Sequence, residues 1–132
     1  MVDFNLTEEQ IMIRDMAREF CEAEVTPHAE EWDRNGTYPR DAITKAHELG
    51  LLNVTIPEEY GGAGMSSVDE MIICEELSRG DPGFGTAAYH TMLASLPILT
   101  GGTEGQKAEY LGRVTAGTVS YTHLTLPTSD LV

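Results

Sequence analysis

One stretch constrains this chain more than any other: Gly50-Leu51-Leu52-Asn53-Val54-Thr55-Ile56-Pro57-Glu58-Glu59-Tyr60-Gly61-Gly62-Ala63-Gly64-Met65. It divides two helix-rich halves. Gly50 can end a helix by taking a left-handed backbone. Leu52, Val54 and Ile56 then alternate as a short apolar run. Pro57 fixes the backbone and removes a donor. Gly61, Gly62 and Gly64 let the chain turn where side chains would clash. Ser66 and Ser67 offer caps for the next helix. The stretch reads as an extended crossover between helices.

With 132 residues the chain is one domain or part of a larger one. A domain of that size can bury a core without staples. Cys21 and Cys74 make no disulfide framework and no metal spacing, and both read as buried thiols in a reducing compartment. The formal net charge of -14 argues against nucleic acid and anionic membrane surfaces as partners. No apolar run approaches the roughly 20 residues that span a bilayer. The start, Met1-Val2-Asp3-Phe4, has no basic leader, so the chain reads as cytoplasmic.

The pattern on both sides of the crossover is helical. Thr7 and Gln10 form a capping box, and Ile13, Met16, Ala17, Phe20 and Cys21 follow the helical period. One long helix is expected from Thr7 to Asp33, bent near Pro27. Pro39 suits the first turn of a second helix with Ile43, Ala46 and Leu49 as its apolar stripe. A third starts with a capping box at Ser67 and Glu70 and carries Val68, Met71, Ile72, Glu75 and Leu77. Asp81-Pro82 restarts the chain as a fourth helix, rich in small residues and ending at Gly101-Gly102. Thr103 and Gln106 cap the last one, with Ala108, Leu111 and Val114 inward and Gly117 as its end. The expected fold class is all-α.

Chemistry is sparse. Gly62-x-Gly64-x-x-Ser67 lacks the third glycine of a dinucleotide fingerprint, and Pro57 breaks the run before it. His28, His47, His90 and His123 make no metal-ligand pair, and no metal site is expected. All but His90 read as partly exposed helix residues. Glu30-Glu31 and Glu75-Glu76 read as solvated faces, because neighbours on a helix point apart. No Ser or Cys sits in a nucleophile setting.

Several motifs, in order, resemble the N-terminal domain of acyl-CoA dehydrogenases. They are Phe4-x-Leu6-Thr7-Glu8-Glu9-Gln10, Tyr38-Pro39, Glu48-Leu49-Gly50-Leu51-Leu52-Asn53, Ile56-Pro57-Glu58-Glu59-Tyr60-Gly61-Gly62-x-Gly64, Glu75-Glu76-Leu77-Ser78-Arg79 and Tyr110-Leu111-Gly112-Arg113. The resemblance spans about Phe4 to Gly117, and its last segment and Glu48 to Asn53 look most like the medium-chain branch. It implies a flavoenzyme that oxidises an acyl-CoA thioester to the trans-2-enoyl product. In such enzymes a glutamate removes the α-proton, hydride leaves to FAD, and electrons pass to an electron-transfer flavoprotein. The intact enzyme is implied to be a homo-oligomer. The catalytic glutamate and most of the FAD site lie in later domains, so this chain is expected to be inactive and not to bind FAD by itself. By position, Gly85, Thr86, Tyr89 and Leu93 fall on the helix that lines the acyl tail in relatives. Tyr89, if it points inward, shortens the slot.

The end of the chain changes character. Val119-Ser120-Tyr121-Thr122-His123-Leu124-Thr125-Leu126-Pro127-Thr128 resembles the translation of a sequencing-library adapter, where relatives enter a strand. The expected organisation is therefore a helical domain over 1–118, truncated before a β-domain, and a non-native tail over 119–132. Two other readings stand beside this one: a self-sufficient acidic helical module that binds a partner protein, and the same domain of an acyl-CoA oxidase.

Overall fold

The computed structural model describes residues 5–117; Phe4 and the tail at 119–132 lie outside the described residues. Six α-helices follow one another: α1 Glu8–Glu24, α2 Ala29–Asn35, α3 Arg40–Glu48, α4 Ser67–Gly80, α5 Pro82–Gly101 and α6 Glu104–Thr115. One turn of 3-10 helix, Glu58–Tyr60, lies in the crossover. No strand occurs among the described residues, and the all-α expectation holds. Helix α4 packs between α1 and α5, and α5 packs on α6. Within this region no helix is long and apolar enough to cross a membrane.

The caps are where local chemistry sets the boundaries. Thr7 Oγ1 accepts from the Gln10 amide and the Gln10 side chain accepts from Thr7 N–H, as the sequence suggests. Thr103 and Gln106 repeat the arrangement at α6. At α4 the box is one residue earlier than expected: Ser66 pairs with Asp69, leaving Glu70 free to turn inward. Helix α3 ends in a Schellman motif. Gly50 takes φ +71°, Leu51 N–H bonds the Ala46 carbonyl and Gly50 N–H bonds that of His47.

The long first helix is in fact two. The α1 ladder ends when Val25 and Thr26 N–H groups both bond the Cys21 carbonyl, and α2 starts only at Ala29. Pro27 has no N–H to carry the ladder across and its ring crowds the carbonyl of Ala23, so the helix breaks instead of bending. The crossover is not extended either. Asn53 adopts φ +57° and Ile56 N–H bonds the Asn53 carbonyl, folding Leu51–Ile56 into turns. Asparagine tolerates that backbone better than most residues. Here it is held, because the Thr91 hydroxyl donates to Asn53 Oδ1 at 2.8 Å.

Two clusters make the core. The first gathers Ala17, Phe20, Cys21 and Val25 of α1, Ala42 and Ala46 of α3, Leu51 and Val54 of the crossover, Ile73 and Leu77 of α4, and Phe84 and Ala88 of α5. The second is Ile56, Met92, Leu111 and Val114. Some inward expectations are reversed: Leu49, Val68, Met71 and Ala108 are exposed. Helix α4 carries apolar residues most of the way round, and packing between α1 and α5 buries the side bearing Ile72, Ile73 and Leu77 while Val68 and Met71 stay outside. Cys21 is buried, whereas Cys74 is only half-buried.

Glu76 corrects the solvated-face reading of Glu75-Glu76, while Glu75 stays exposed. Its buried carboxylate accepts from Arg18 of α1, Nη2 at 2.5 Å and Nε at 3.0 Å, and from Arg79 Nε at 3.0 Å. The Arg18 bond, opposed by burial, holds the Glu76 carboxyl below its usual range. The contribution is present above the unfolded carboxylate range and is lost as pH falls through the folded value. Acid should therefore loosen the α1–α4 contact.

Candidate functional site

The crossover, α4 and α5 enclose a groove of about 400 Å³. Its apolar lining comes from Met65, Met71, Met92, Leu93, Leu96 and Leu99. Its polar lining includes Thr55, Glu70 and Tyr89. Beside it lies a small crevice of about 20 Å³, walled by residues such as Leu51, Val54, Ile73 and Ala88. Glu70, Tyr89 and Met92 border both spaces. These three side chains are thus the partition between groove and crevice.

The four residues singled out from the sequence separate here. Tyr89 and Leu93 line the groove, Tyr89 half-buried and Leu93 62% exposed at the rim. Gly85 lines the crevice instead, where α5 meets α4. A Cβ there would lie 2.2 Å from Ser78 Oγ and 2.9 Å from Ser78 Cα. Its job on this geometry is close helix packing. Thr86 is exposed and its hydroxyl donates to the Pro82 carbonyl at 2.9 Å; it does not line the groove. Exposed Met71, Leu93 and Leu96 leave an apolar rim open to solvent.

Glu70 is the residue that sequence reasoning assigned to a cap. It is 8% exposed and forms part of the partition. Thr55 Oγ1 lies 3.3 Å from Glu70 Oε1 and 3.2 Å from Met92 Sδ. The Tyr89 phenol also hydrogen-bonds the Glu70 carboxylate. Burial pushes the Glu70 carboxyl above its ordinary value, against the pull of its two donors. The Tyr89 phenol is raised too, by burial first and then by the neighbouring carboxylate. A signal for Glu70 did exist: an acidic residue at the same helical phase as Ile73 and Leu77 is a candidate for burial.

The sign of the Glu70 shift gives a test. The folded state holds the proton more tightly than the unfolded chain does. Stability is thus fully present below the unfolded carboxylate range and falls as pH rises through the folded value. Glu70→Gln removes the desolvated charge and keeps an acceptor for Tyr89. It should raise unfolding stability by about 1 kcal/mol at pH 8 and by much less at pH 4. Urea melts at the two pH values read this directly; a loss of stability at pH 8 would show that the charge is well solvated.

The glycine-rich segment does not form a phosphate cradle. Gly61 N–H bonds the Glu58 carbonyl, Gly62 N–H that of Pro57, and Gly64 N–H that of Ile56. Among the described residues no strand precedes it. Its amides are consumed in holding the turn, so it does not fit a flavin or nicotinamide pyrophosphate. Among the described residues no group of three or more His, Cys, Asp or Glu could hold a metal ion. His47 serves the fold: its Nε2 donates to the Thr115 carbonyl at 2.8 Å, fastening α3 to the end of α6.

Comparison with known proteins places this architecture. The family model for the acyl-CoA dehydrogenase N-terminal domain matches residues 7–118. (2S)-Methylsuccinyl-CoA dehydrogenase of Cereibacter sphaeroides is 40% identical over 115 residues, 86% of this chain and 21% of that protein. A solved glutaryl-CoA dehydrogenase in complex with glutaryl-CoA superposes with a TM-score of 0.82 at 33% identity, covering 89% of this chain and 31% of that one. A glutaryl-CoA dehydrogenase from Mycobacterium smegmatis in complex with FADH2 gives a TM-score of 0.77 at 30% identity, over 87% and 30% of the two chains. The chain spans 21% to 31% of the length of the curated relatives it matches. It belongs to the acyl-CoA dehydrogenase family, and what it contains of that enzyme is the N-terminal helical domain.

Proposed function

We propose that this domain supplies one wall of the acyl pocket in an FAD-dependent acyl-CoA dehydrogenase and has no turnover by itself. The observation that carries the reading is the groove between the crossover, α4 and α5, apolar along α5 and open on one side. An acyl tail needs an apolar slot with few polar groups. The exposed rim of Met71, Leu93 and Leu96 is the surface that the rest of the enzyme would cover. FAD, when bound, supplies the hydride acceptor; the residues of this chain do not hold it. Their part is to seat the tail and exclude water. Electron-transfer flavoprotein as acceptor, and a homo-oligomeric enzyme, belong to the same proposal.

The test begins at the DNA. Resequencing the source across the Thr118 codon should show a frame that runs on into a β-domain in place of 119–132. The full-length protein should then carry flavin, and acyl-CoA should bleach its absorbance. In that enzyme Tyr89→Ala should join groove to crevice and shift the preferred acyl chain by about two carbons or more, since each added methylene is worth a measurable share of binding. A confirmed stop after Val132, or a flavoprotein that no acyl-CoA reduces, would sink the reading and favour a partner-binding module.

A further inference from the structure

The groove has a polar floor that an aliphatic tail does not need. Glu70, Thr55 and Tyr89 meet there, drawn from α4, the crossover and α5. An ionised carboxylate offers about four acceptor positions. Thr55 and Tyr89 supply two donors, and Glu70 still borders both the groove and the crevice beside it. A hydrocarbon end pushed against this floor would strip water from the remaining positions and return nothing. A tail that donates a hydrogen bond would replace that water. A tail that ends in a carboxylate would meet a like charge at close range in a partly dry site.

We propose that Glu70, steadied by Thr55 and Tyr89, is a specificity-determining residue that selects acyl groups with a hydroxyl at the far end and turns away those ending in a carboxylate. The proposal rests on the acyl-pocket reading above. It adds the chemical class of the tail. Glu70 acts on the tail alone and takes no part in proton or hydride transfer.

The experiment uses the full-length enzyme and three length-matched thioesters: a plain alkyl acyl-CoA, its ω-hydroxy analogue and its ω-carboxy analogue. The ω-hydroxy compound should exceed the alkyl one by about tenfold in kcat/KM, and the ω-carboxy compound should fall about tenfold below it, differences of the size of one buried hydrogen bond gained or denied. Both effects should appear in KM, and again as Kd when unreactive thioether analogues are titrated by calorimetry. Glu70→Gln, close in shape, should bring the ω-carboxy compound up by about tenfold. Glu70→Ala should make the alkyl compound the best of the three. A merely structural Glu70 would change all three rates together and leave their ratios unmoved. Equal rates for the three compounds in the parent enzyme, or ratios unmoved by either variant, would overturn the proposal while leaving the acyl-pocket reading intact. Flavin reduction by none of the three would overturn both.

Discussion

Replacing Phe84 with alanine should cost the domain about 3–5 kcal/mol, the range for emptying a large aromatic site in a packed core. Phe84 is fully buried and sits where α1, α2 and α5 converge. Its ring centroid lies 6.2 Å from those of Phe20 and Trp32. A domain of this kind holds roughly 5–15 kcal/mol in total. The loss is therefore large enough to unfold a sizeable fraction of the chain under mild denaturant. Trp32 is the only tryptophan and stacks on Phe84, so its fluorescence reports the site without a label. Phe84→Leu, which keeps most of the volume, should cost about 1–1.5 kcal/mol. If Phe84→Ala lowered stability by no more than the leucine variant, the three-ring junction would not be the centre of the core.

Gly62→Ala should be as damaging, for the opposite reason. A Cβ at Gly62 would stand 1.9 Å from the Ile56 carbonyl oxygen and 2.5 Å from its carbon. Backbone cannot step aside as a flexible side chain can. The crossover would have to open, breaking the bonds from Gly62 to Pro57 and from Gly64 to Ile56. We expect a loss of about 3 kcal/mol or more, the upper end of overpacking costs. Gly112→Ala is the control. It lies within α6, and nothing stands within 4 Å of an added Cβ. That change should stabilise by about 0.5–1 kcal/mol, the ordinary helix advantage of alanine. Equal and small effects at the two positions would mean that the crossover is looser than its hydrogen bonds imply.

Much of this fold could be read from the sequence, because its boundaries are set locally. The caps at Thr7, Asp81 and Thr103 and the stop at Gly50 depend on residues a few positions apart. What could not be read depends on which face another helix covers. Val68 and Met71 have a helical phase as good as that of Ile73, yet they are exposed because α1 and α5 approach α4 from the other side. Ser66 and Ser67 were equally fit to cap. Ser66 takes the cap with Asp69, which leaves Glu70 to be buried in a tertiary contact. Tyr89 and Leu93 were marked by resemblance and do line the groove. Glu70 was missed because its partners lie 15 and 19 positions away, and only the packing of α4 against the crossover and α5 brings them together.

The Gly85–Ser78 contact sits near the joint between α4 and α5, while Glu70 and the Tyr89–Leu99 run stand farther along the same two helices. The pair works as a hinge-end and a pair of jaws. Spacing set at the joint by a missing methyl group is carried along two stiff rods to the mouth of the groove. A bulkier residue at position 85 would thus recalibrate the groove without touching anything that lies in it.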